Sequence, residues 1–254
     1  MVDIHTHILW AVDDGPKSVE QSIDLLKQAV QEGITDIIAT SHSSHPLYNV
    51  SFEKVTEQLL ILQEVININN LPLTLHAGHE VRIGDNMIDS IKTKKFHTLA
   101  NSNYVLLELP SDIVPYYTIP LIRDLLGEGI IPIIAHPERN KAIVERPELL
   151  ARLINEGAVA QITAGSLAGH FGRKIQSVSL DFVKANLVHT YGSDVHHLVN
   201  RPFLYYKGLE YLEKKKESEA IDILLENNER ILMNKPLFIQ EPEKIQSTKW
   251  WAIF

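Results

Sequence analysis

The sequence contains no cysteine. That absence excludes a disulfide scaffold, thiolate metal ligation and a cysteine nucleophile. No apolar run is long enough to cross a bilayer, and the chain opens directly on strand-like sequence. Neither a transmembrane segment nor a signal peptide is therefore expected, and a cytoplasmic location follows as the default. Also missing are the Gly-x-Ser-x-Gly elbow of serine hydrolases, a P-loop, and a Gly-x-Gly-x-x-Gly turn after a strand. Serine-nucleophile and nucleotide-dependent chemistry are left without support. Positive charge is in short supply, with 24 Lys and Arg against 32 Asp and Glu, a formal charge of −8. Nonspecific nucleic-acid binding is disfavoured, although bound dications would offset part of that charge.

What is present is a recurring pattern. Val2-Asp3-Ile4-His5-Thr6-His7 is a short apolar run ending in histidine, and five later stretches end in the same manner. They are Asp36 to His42, Leu73 to Glu80, Tyr104 to Glu108, Ile130 to His136 and Val188 to His196. Each is long enough for a buried strand and finishes in His, Glu or Asp. On an extended chain His5 and His7 point to one side. Imidazole and carboxylate are the common ligands of zinc, manganese and iron. Repeated at the ends of successive strands, they point to a metal centre at one end of a barrel, where α/β barrels carry their chemistry.

Between these runs lie helical patterns. Ser18 caps a helix with Val19, Ile23, Leu26 and Val30 at helical spacing, and Gly33 ends it. A polar loop, Ser41 to Asn49, precedes a helix with Phe52, Val55, Leu59, Leu62 and Ile66 on one face. Helices are predicted over 86–95, 117–126, 147–156 and 174–185, with mostly helix over 203–233 and a Gly/Ser loop over 164–172. Strands are predicted over 158–163 and 188–192. Seven strand-helix alternations argue for parallel strands joined by right-handed crossovers. At 254 residues, 44% of them hydrophobic, the chain suits one large α/β domain. Residues 1–235 are expected to form that domain. Residues 236–254, ending in Trp250-Trp251-Ala252-Ile253-Phe254, read as a C-terminal tail packed on it or disordered, and no function is assigned to them.

Of the 12 histidines, seven are read as ordinary core or surface residues: His45, His76, His79, His97, His170, His189 and His197. His45, close to His42, and His197, beside His196, are the least secure of that group. Glu108 follows four apolar residues and would be costly inside a barrel unless a cation neutralised it.

These residues carry a resemblance. Asp3-Ile4-His5-Thr6-His7-Ile8-Leu9, Asp13-Asp14-Gly15, Ala39-Thr40-Ser41-His42, Gly78-His79-Glu80-Val81-Arg82 and Leu107-Glu108 are part of it. Ile134-Ala135-His136-Pro137-Glu138-Arg139-Asn140, Gln161-Ile162-Thr163-Ala164-Gly165-Ser166-Leu167-Ala168-Gly169 and Ser193-Asp194-Val195-His196 complete it, in the family's order. The chain resembles the polymerase-and-histidinol-phosphatase (PHP) superfamily, and within it the CpsB/YwqE type of bacterial tyrosine-protein phosphatase of capsule and exopolysaccharide synthesis. Thr6, Trp10 and Ser41 depart from the family's usual Cys, Pro and Pro, and none of these is a ligand.

The resemblance implies a distorted (β/α)7 TIM-like barrel holding three divalent metal ions, with manganese the usual choice and iron or zinc also compatible. It implies a first metal held by His5, His7, Glu80 and Asp194, and a second by Glu80, Glu108 and His136, with Glu80 bridging. Asp14, His42 and His196 would hold the third, while Arg139 and Arg201 match the phosphate-binding arginines. Asp14 rather than Asp13 is the expected ligand, and Asp13→Ala is expected to have the much smaller effect. The implied activity is metal-dependent hydrolysis of phosphotyrosine on a bacterial tyrosine kinase, with room for a peripheral contact with a membrane-bound kinase complex. A histidinol-phosphate-type phosphatase or a phosphodiesterase on the same barrel is the nearest alternative. A catalytically silent module binding phosphorylated kinase tails is a further one, against which the complete ligand set argues.

Overall fold

Short apolar strands alternate with amphipathic helices, and every strand runs parallel to its neighbours. The computed structural model describes residues 1–245. Its strands are β1 (Val2–Thr6), β2 (Asp36–Ala39), β3 (His42–Ser43), β4 (Thr74–Ala77), β5 (Glu80–Arg82), β6 (Tyr104–Glu108), β7 (Ile131–Ala135), β8 (Val159–Thr163) and β9 (Thr190–Gly192). They hydrogen-bond in the orders β1-β2-β4 and β3-β5-β6-β7-β8-β9.

The two groups are parts of one wall. β3 continues the line of β2, and β5 continues that of β4. The breaks at Thr40-Ser41 and Gly78-His79 are bridged by hydrogen bonds from Thr40 N to Thr6 O (2.8 Å) and from Glu80 N to Thr40 O (3.1 Å). A Cβ on Gly78 would stand 2.6 Å from Ile38 Cγ2, so the second break requires a glycine. Counting each interrupted pair as one stave gives seven. The ring closes where Asp194 N donates to His5 O (2.8 Å) and His7 N to Val195 O (2.9 Å). The expected (β/α)7 barrel is the architecture found.

Alternate positions divide between two cores. Ile4, Ile38, Leu106, Ile133, Ala135 and Val159 form an inner cluster, while Ile37, Val105, Leu107, Ile134, Ala160 and Ile162 face the helices. In β1 the register slips between Asp3 and Thr6. Ile4 consequently packs inside the barrel, and His5, the next residue, also turns to the barrel mouth, as a bulge allows.

The helices follow the predicted spacing in most places. In α1 (Val19–Gln31) the Ser18 hydroxyl accepts from Gln21 N and Gly33 follows at φ +78°, but the buried face is Ser22, Leu25, Leu26 and Ala29, with Val19, Ile23 and Val30 only partly covered. In α2 (Phe52–Ile68) Val55, Leu59, Leu62 and Ile66 face inward. Next come α3 (Met87–Lys92), α4 (Thr118–Gly127), α5 (Lys141–Glu145), α6 (Glu148–Asn155), α7 (Ala164–Leu167), α8 (Arg173–Lys184), α9 (Tyr205–Lys214) and α10 (Ser218–Leu232). Four segments differ from expectation. The 41–49 loop contains β3, because His42 pairs with Glu80 of β5. The 164–172 loop begins with the helical turn α7. The short α5 arises because the Asn140 side chain caps it, accepting from Ile143 N at 3.0 Å. The final helical region splits at Lys216, whose φ is +67°.

Residues 236–245 lie against the body: Phe238 N donates to Asn227 Oδ1 (2.7 Å) and Glu243 N to Ala185 O (2.8 Å). The Trp250–Phe254 end lies outside the described residues. No helix among the described residues is long and apolar enough to cross a membrane.

The seam of the barrel is tied at its lower end by one side chain. Asn228, fully buried on α10, donates to Val2 O (2.8 Å) and Tyr191 O (2.7 Å) and accepts from Tyr191 N (3.1 Å). Asn228→Ala removes this partner from Tyr191 N and O, while Val2 O keeps the Tyr205 hydroxyl (2.7 Å), and should cost about 2 kcal/mol. Urea unfolding measures it; a loss within about 0.5 kcal/mol, the range of ordinary surface changes, would show that the seam does not depend on this residue.

Candidate metal centre

The barrel delivers one or two polar side chains from each of several staves to its C-terminal mouth. His5 is the last residue but one of β1, His7 follows the strand, and Asp14 stands in the next loop. His42 opens β3, Glu80 opens β5, Glu108 ends β6 and His136 follows β7, while Asp194 and His196 follow β9. His136 and Asp194 both have left-handed backbone, with φ of 33° and 55°. Such conformations cost about 1 kcal/mol or more in a residue other than glycine, and they cluster where geometry serves a site. Here they turn two side chains inward at strand ends where regular continuation would not.

Glu80 is the hub. Its Oε2 lies 3.5 Å from His5 Nε2, 3.3 Å from His7 Nε2 and 3.1 Å from His42 Nδ1, and its Oε1 lies 2.7 Å from His136 Nε2. Asp194 Oδ1 faces His5 Nε2 (3.3 Å) and His7 Nε2 (3.7 Å). Asp14 Oδ1 lies 3.2 Å from His196 Nε2 and 3.6 Å from His42 Nε2. Glu108 Oε2 is 3.8 Å from His42 Nδ1 and 3.2 Å from Arg82 Nε.

Each of the candidate ligands therefore stands in one cluster. The donor atoms converge in overlapping groups: His5, His7 and Glu80; His7, Asp14, His42 and His196; His42, Glu80 and Glu108; His5, His136 and Asp194. This grouping departs in part from the implied one, since His136 stands with His5 and Asp194, and His42 reaches Glu108.

These residues fit bound cations on two counts. Nε2 of His5, His7 and His196, Nδ1 of His42 and a carboxylate oxygen of Asp14, Glu108 and Asp194 are buried without a hydrogen-bond partner. Buried polar atoms are rarely left so, and here they face one another around a common space. The electrostatics agree. Burial takes His42, His136 and His196 down to about 4, leaving them neutral and able to ligate at pH 7. Burial also opposes charge on His5 and His7, yet Glu80, with Asp194 or Asp13, raises both above the ordinary histidine value. Burial, then the neighbouring Glu80, pushes Glu108 up to about 8.

Arg139 and Arg201 share the other face of Asp194. Their Nη2 atoms lie 2.5 Å and 2.6 Å from its Oδ2, opposite the oxygen turned to the histidines. The Arg139 guanidinium also stands 5.2 Å from the Phe171 ring centre. Both arginines line a cavity of about 390 Å³ together with Asp14, His42, Glu80, Glu108 and His136.

Residues 1–233 match the family model for capsular polysaccharide synthesis, CpsB/CapC. The chain belongs to that family. CapC of Staphylococcus aureus is 45% identical over 251 residues, 99% of this chain and 98% of that protein. The tyrosine-protein phosphatase YwqE of Bacillus subtilis is 40% identical over 254 residues, the full length of both. A crystal structure from work on YwqE and on CpsB of Streptococcus pneumoniae, described as metal-dependent tyrosine phosphatases, superposes with a TM-score of 0.94 at 40% identity. It covers 97% of this chain and 100% of that one.

Some functional-site residues of this family member escape a reading of strand ends. Asp13 is buried; its Oδ2 accepts from His7 Nδ1 (3.0 Å) and from His42 N (3.3 Å), and its Oδ1 from Gly15 N (2.9 Å). The sequence gives Asp13 no part in the site; here it holds the ring that faces Glu80. Gln161 does the same for His5, its Oε1 lying 3.0 Å from Nδ1. Its inward position on β8, two residues before the strand end, was the available signal. Among the histidines set aside, His45 lines the cavity and His197 an adjoining hollow with His196. His76 pairs with Asp36 (2.9 Å), His79 with Val50 O (3.2 Å) and His170 with Asn200 O (2.7 Å). His97 and His189 likewise hold backbone groups, through Phe52 O (3.0 Å) and Ala160 N (3.1 Å).

Carboxylates that orient a ligating histidine typically contribute ten- to about a hundredfold to metal affinity. Asp13→Ala should accordingly weaken binding of divalent cations by roughly that factor, as titration calorimetry of the chelated protein would read. An affinity equal to that of an exposed control such as Glu20→Ala would mean that Asp13 only shapes the loop.

Proposed function

We propose that this protein is a metal-dependent phosphomonoesterase that hydrolyses phosphotyrosine, acting in the cytoplasm on a bacterial tyrosine kinase of capsular or extracellular polysaccharide synthesis. The observation that carries the reading is the set of unpartnered imidazole and carboxylate atoms facing two arginines in one cavity. Relatives named tyrosine-protein phosphatases, similar along nearly the full chain, supply the substrate class.

His5, His7, Asp14, His42, Glu80, Glu108, His136, Asp194 and His196 are the proposed ligands of three divalent ions. Manganese is preferred because imidazole and carboxylate mix in the shell. Bound cations supply a low pKa for water at neutral pH and a positive field for the phosphoryl oxygens. The chain supplies the rest. Asp13 and Gln161 hold the imidazoles of His7 and His5 in fixed orientation. Arg139 and Arg201, held side by side on Asp194 Oδ2, keep further N–H groups for phosphoryl oxygens, whose growing charge a guanidinium fork matches well. The chain has no cysteine for a thiol phosphoenzyme, and direct in-line attack by water is the proposed route.

Two experiments test this reading. Protein prepared without chelator should contain about three equivalents of metal, lose phosphotyrosine hydrolysis on exhaustive chelation, and regain it best with manganese. Turnover that survived chelation, or full activity with a single equivalent, would refute the proposed centre. Assayed beside the phosphotyrosine peptide, histidinol phosphate and a phosphodiester should be the poorer substrates.

Arg139→Lys should lower kcat/KM by roughly ten- to a hundredfold while metal content stays intact, because lysine offers a point charge in place of a fork. Arg201→Lys should act in the same direction. Wild-type kinetics in both variants would reassign the two arginines to holding Asp194 alone.

A further inference from the structure

The loop between β3 and α2 carries an aromatic group that neither metal binding nor the arginines explain. His45 stacks on His42 with ring centres 4.6 Å apart and planes 23° from parallel. Tyr48 lies 5.5 Å from His45 at 16° and 5.8 Å from His42 at 8°, so the three rings are nearly parallel. His45 and Tyr48 are half-buried, Leu47 between them is 78% exposed, and all three line the cavity that holds Arg139, Arg201 and the proposed ligands.

This loop is built rather than loose. Ser44 N donates to Asn49 Oδ1 (2.9 Å), Tyr48 N to His45 O (3.2 Å) and Val50 N to His42 O (2.9 Å). Leu47 N donates to His45 Nδ1 (3.2 Å), which fixes the orientation of the ring. The rest of the cavity lining is dominated by charged and polar groups, with Leu109 and Ala135 the other apolar residues. An open aromatic surface at the edge of such a site is poorly used by water and well suited to another ring.

We propose that His45, Tyr48 and Leu47 form an aryl-binding wall that seats the phenyl ring of the phosphate ester and selects phosphotyrosine over alkyl phosphates. The inference rests on the phosphotyrosine reading above and adds the residues that would set it. With the phosphoryl group at the arginines, the ester's organic part leaves the charged centre across whatever lines the same cavity. A tyrosine ring has a face to lay on this wall. A serine methylene has none, so the wall discriminates by what it adds for one ester and withholds from the other.

The test uses the metal-loaded full chain and two non-hydrolysable probes, phenylphosphonate and methylphosphonate, whose affinities are measured by calorimetry. Both probes share the phosphonate head, so any change at the metals cancels in their ratio. Aromatic pairs of this kind account for roughly three- to tenfold in binding. The phenyl-to-methyl preference of the native protein should therefore shrink by roughly that factor in Tyr48→Ala, shrink also in His45→Ala, and persist in Tyr48→Phe. The ratio of kcat/KM for phosphotyrosine and phosphoserine peptides of one sequence should fall in parallel, through KM. A preference unchanged in both alanine variants would overturn the wall, as would a loss in Tyr48→Phe equal to that in Tyr48→Ala. If the native protein hydrolyses neither peptide while the phosphonate ratio responds as described, the phosphotyrosine reading fails and the wall stands.

Discussion

Negative charge crowded into the buried mouth of the barrel is the constraint on which the rest of this structure depends. Glu80 and Asp194 are almost fully buried, and burial, with Glu80 beside it, pushes Glu108 up to about 8. Carboxylates in such a setting must be paired, protonated or neutralised by cations. The chain answers with the rings of His5 and His7 and with two guanidiniums on a single oxygen of Asp194. The remaining oxygen of Asp194 faces Nε2 of His5 and of His7, neither of which has a hydrogen-bond partner. A site left half-satisfied by its own side chains is one arranged for positive charge from outside.

Holding that arrangement takes a scaffold whose irregularities fall where the site needs them. A regular strand alternates its side chains, so consecutive residues cannot both reach the mouth. The slipped register in β1 lets Ile4 fill the interior and His5 face Glu80. The breaks in the second and third staves start new strand segments on His42 and Glu80. Left-handed backbone at His136 and Asp194 turns two further side chains inward. At the opposite end, regular packing and the buried Asn228 keep the seam shut, so strain at the mouth is carried by a firm base.

The loops above this base divide the work. The loop after β1 brings Asp13 behind His7 as well as Asp14 beside His196. The turn after β7 brings Arg139 onto Phe171, and the loop after β3 stacks His45 and Tyr48 along His42. The groups proposed to face metal, phosphate and aryl ring thus come largely from separate loops, as is usual for sites built on a barrel.

The sequence by itself determined the fold class and most of the centre. Apolar runs ending in His, Glu or Asp mark strands whose ends share one rim, and a barrel brings such ends together whatever the details of its packing. That is why His5, His7, His42, Glu80, Glu108, His136, Asp194 and His196 could be read from spacing and family resemblance and are found side by side. Asp14 too was implied by the resemblance, but only tertiary structure showed that its identical neighbour Asp13 turns the other way and is buried behind His7. Tertiary structure likewise decided the roles of Gln161 and His45, the helical turn at Ala164–Leu167 and the interrupted staves. Those features depend on hydrogen bonds to residues distant in sequence and on left-handed or slipped backbone. A pattern of apolar and polar positions carries no record of either.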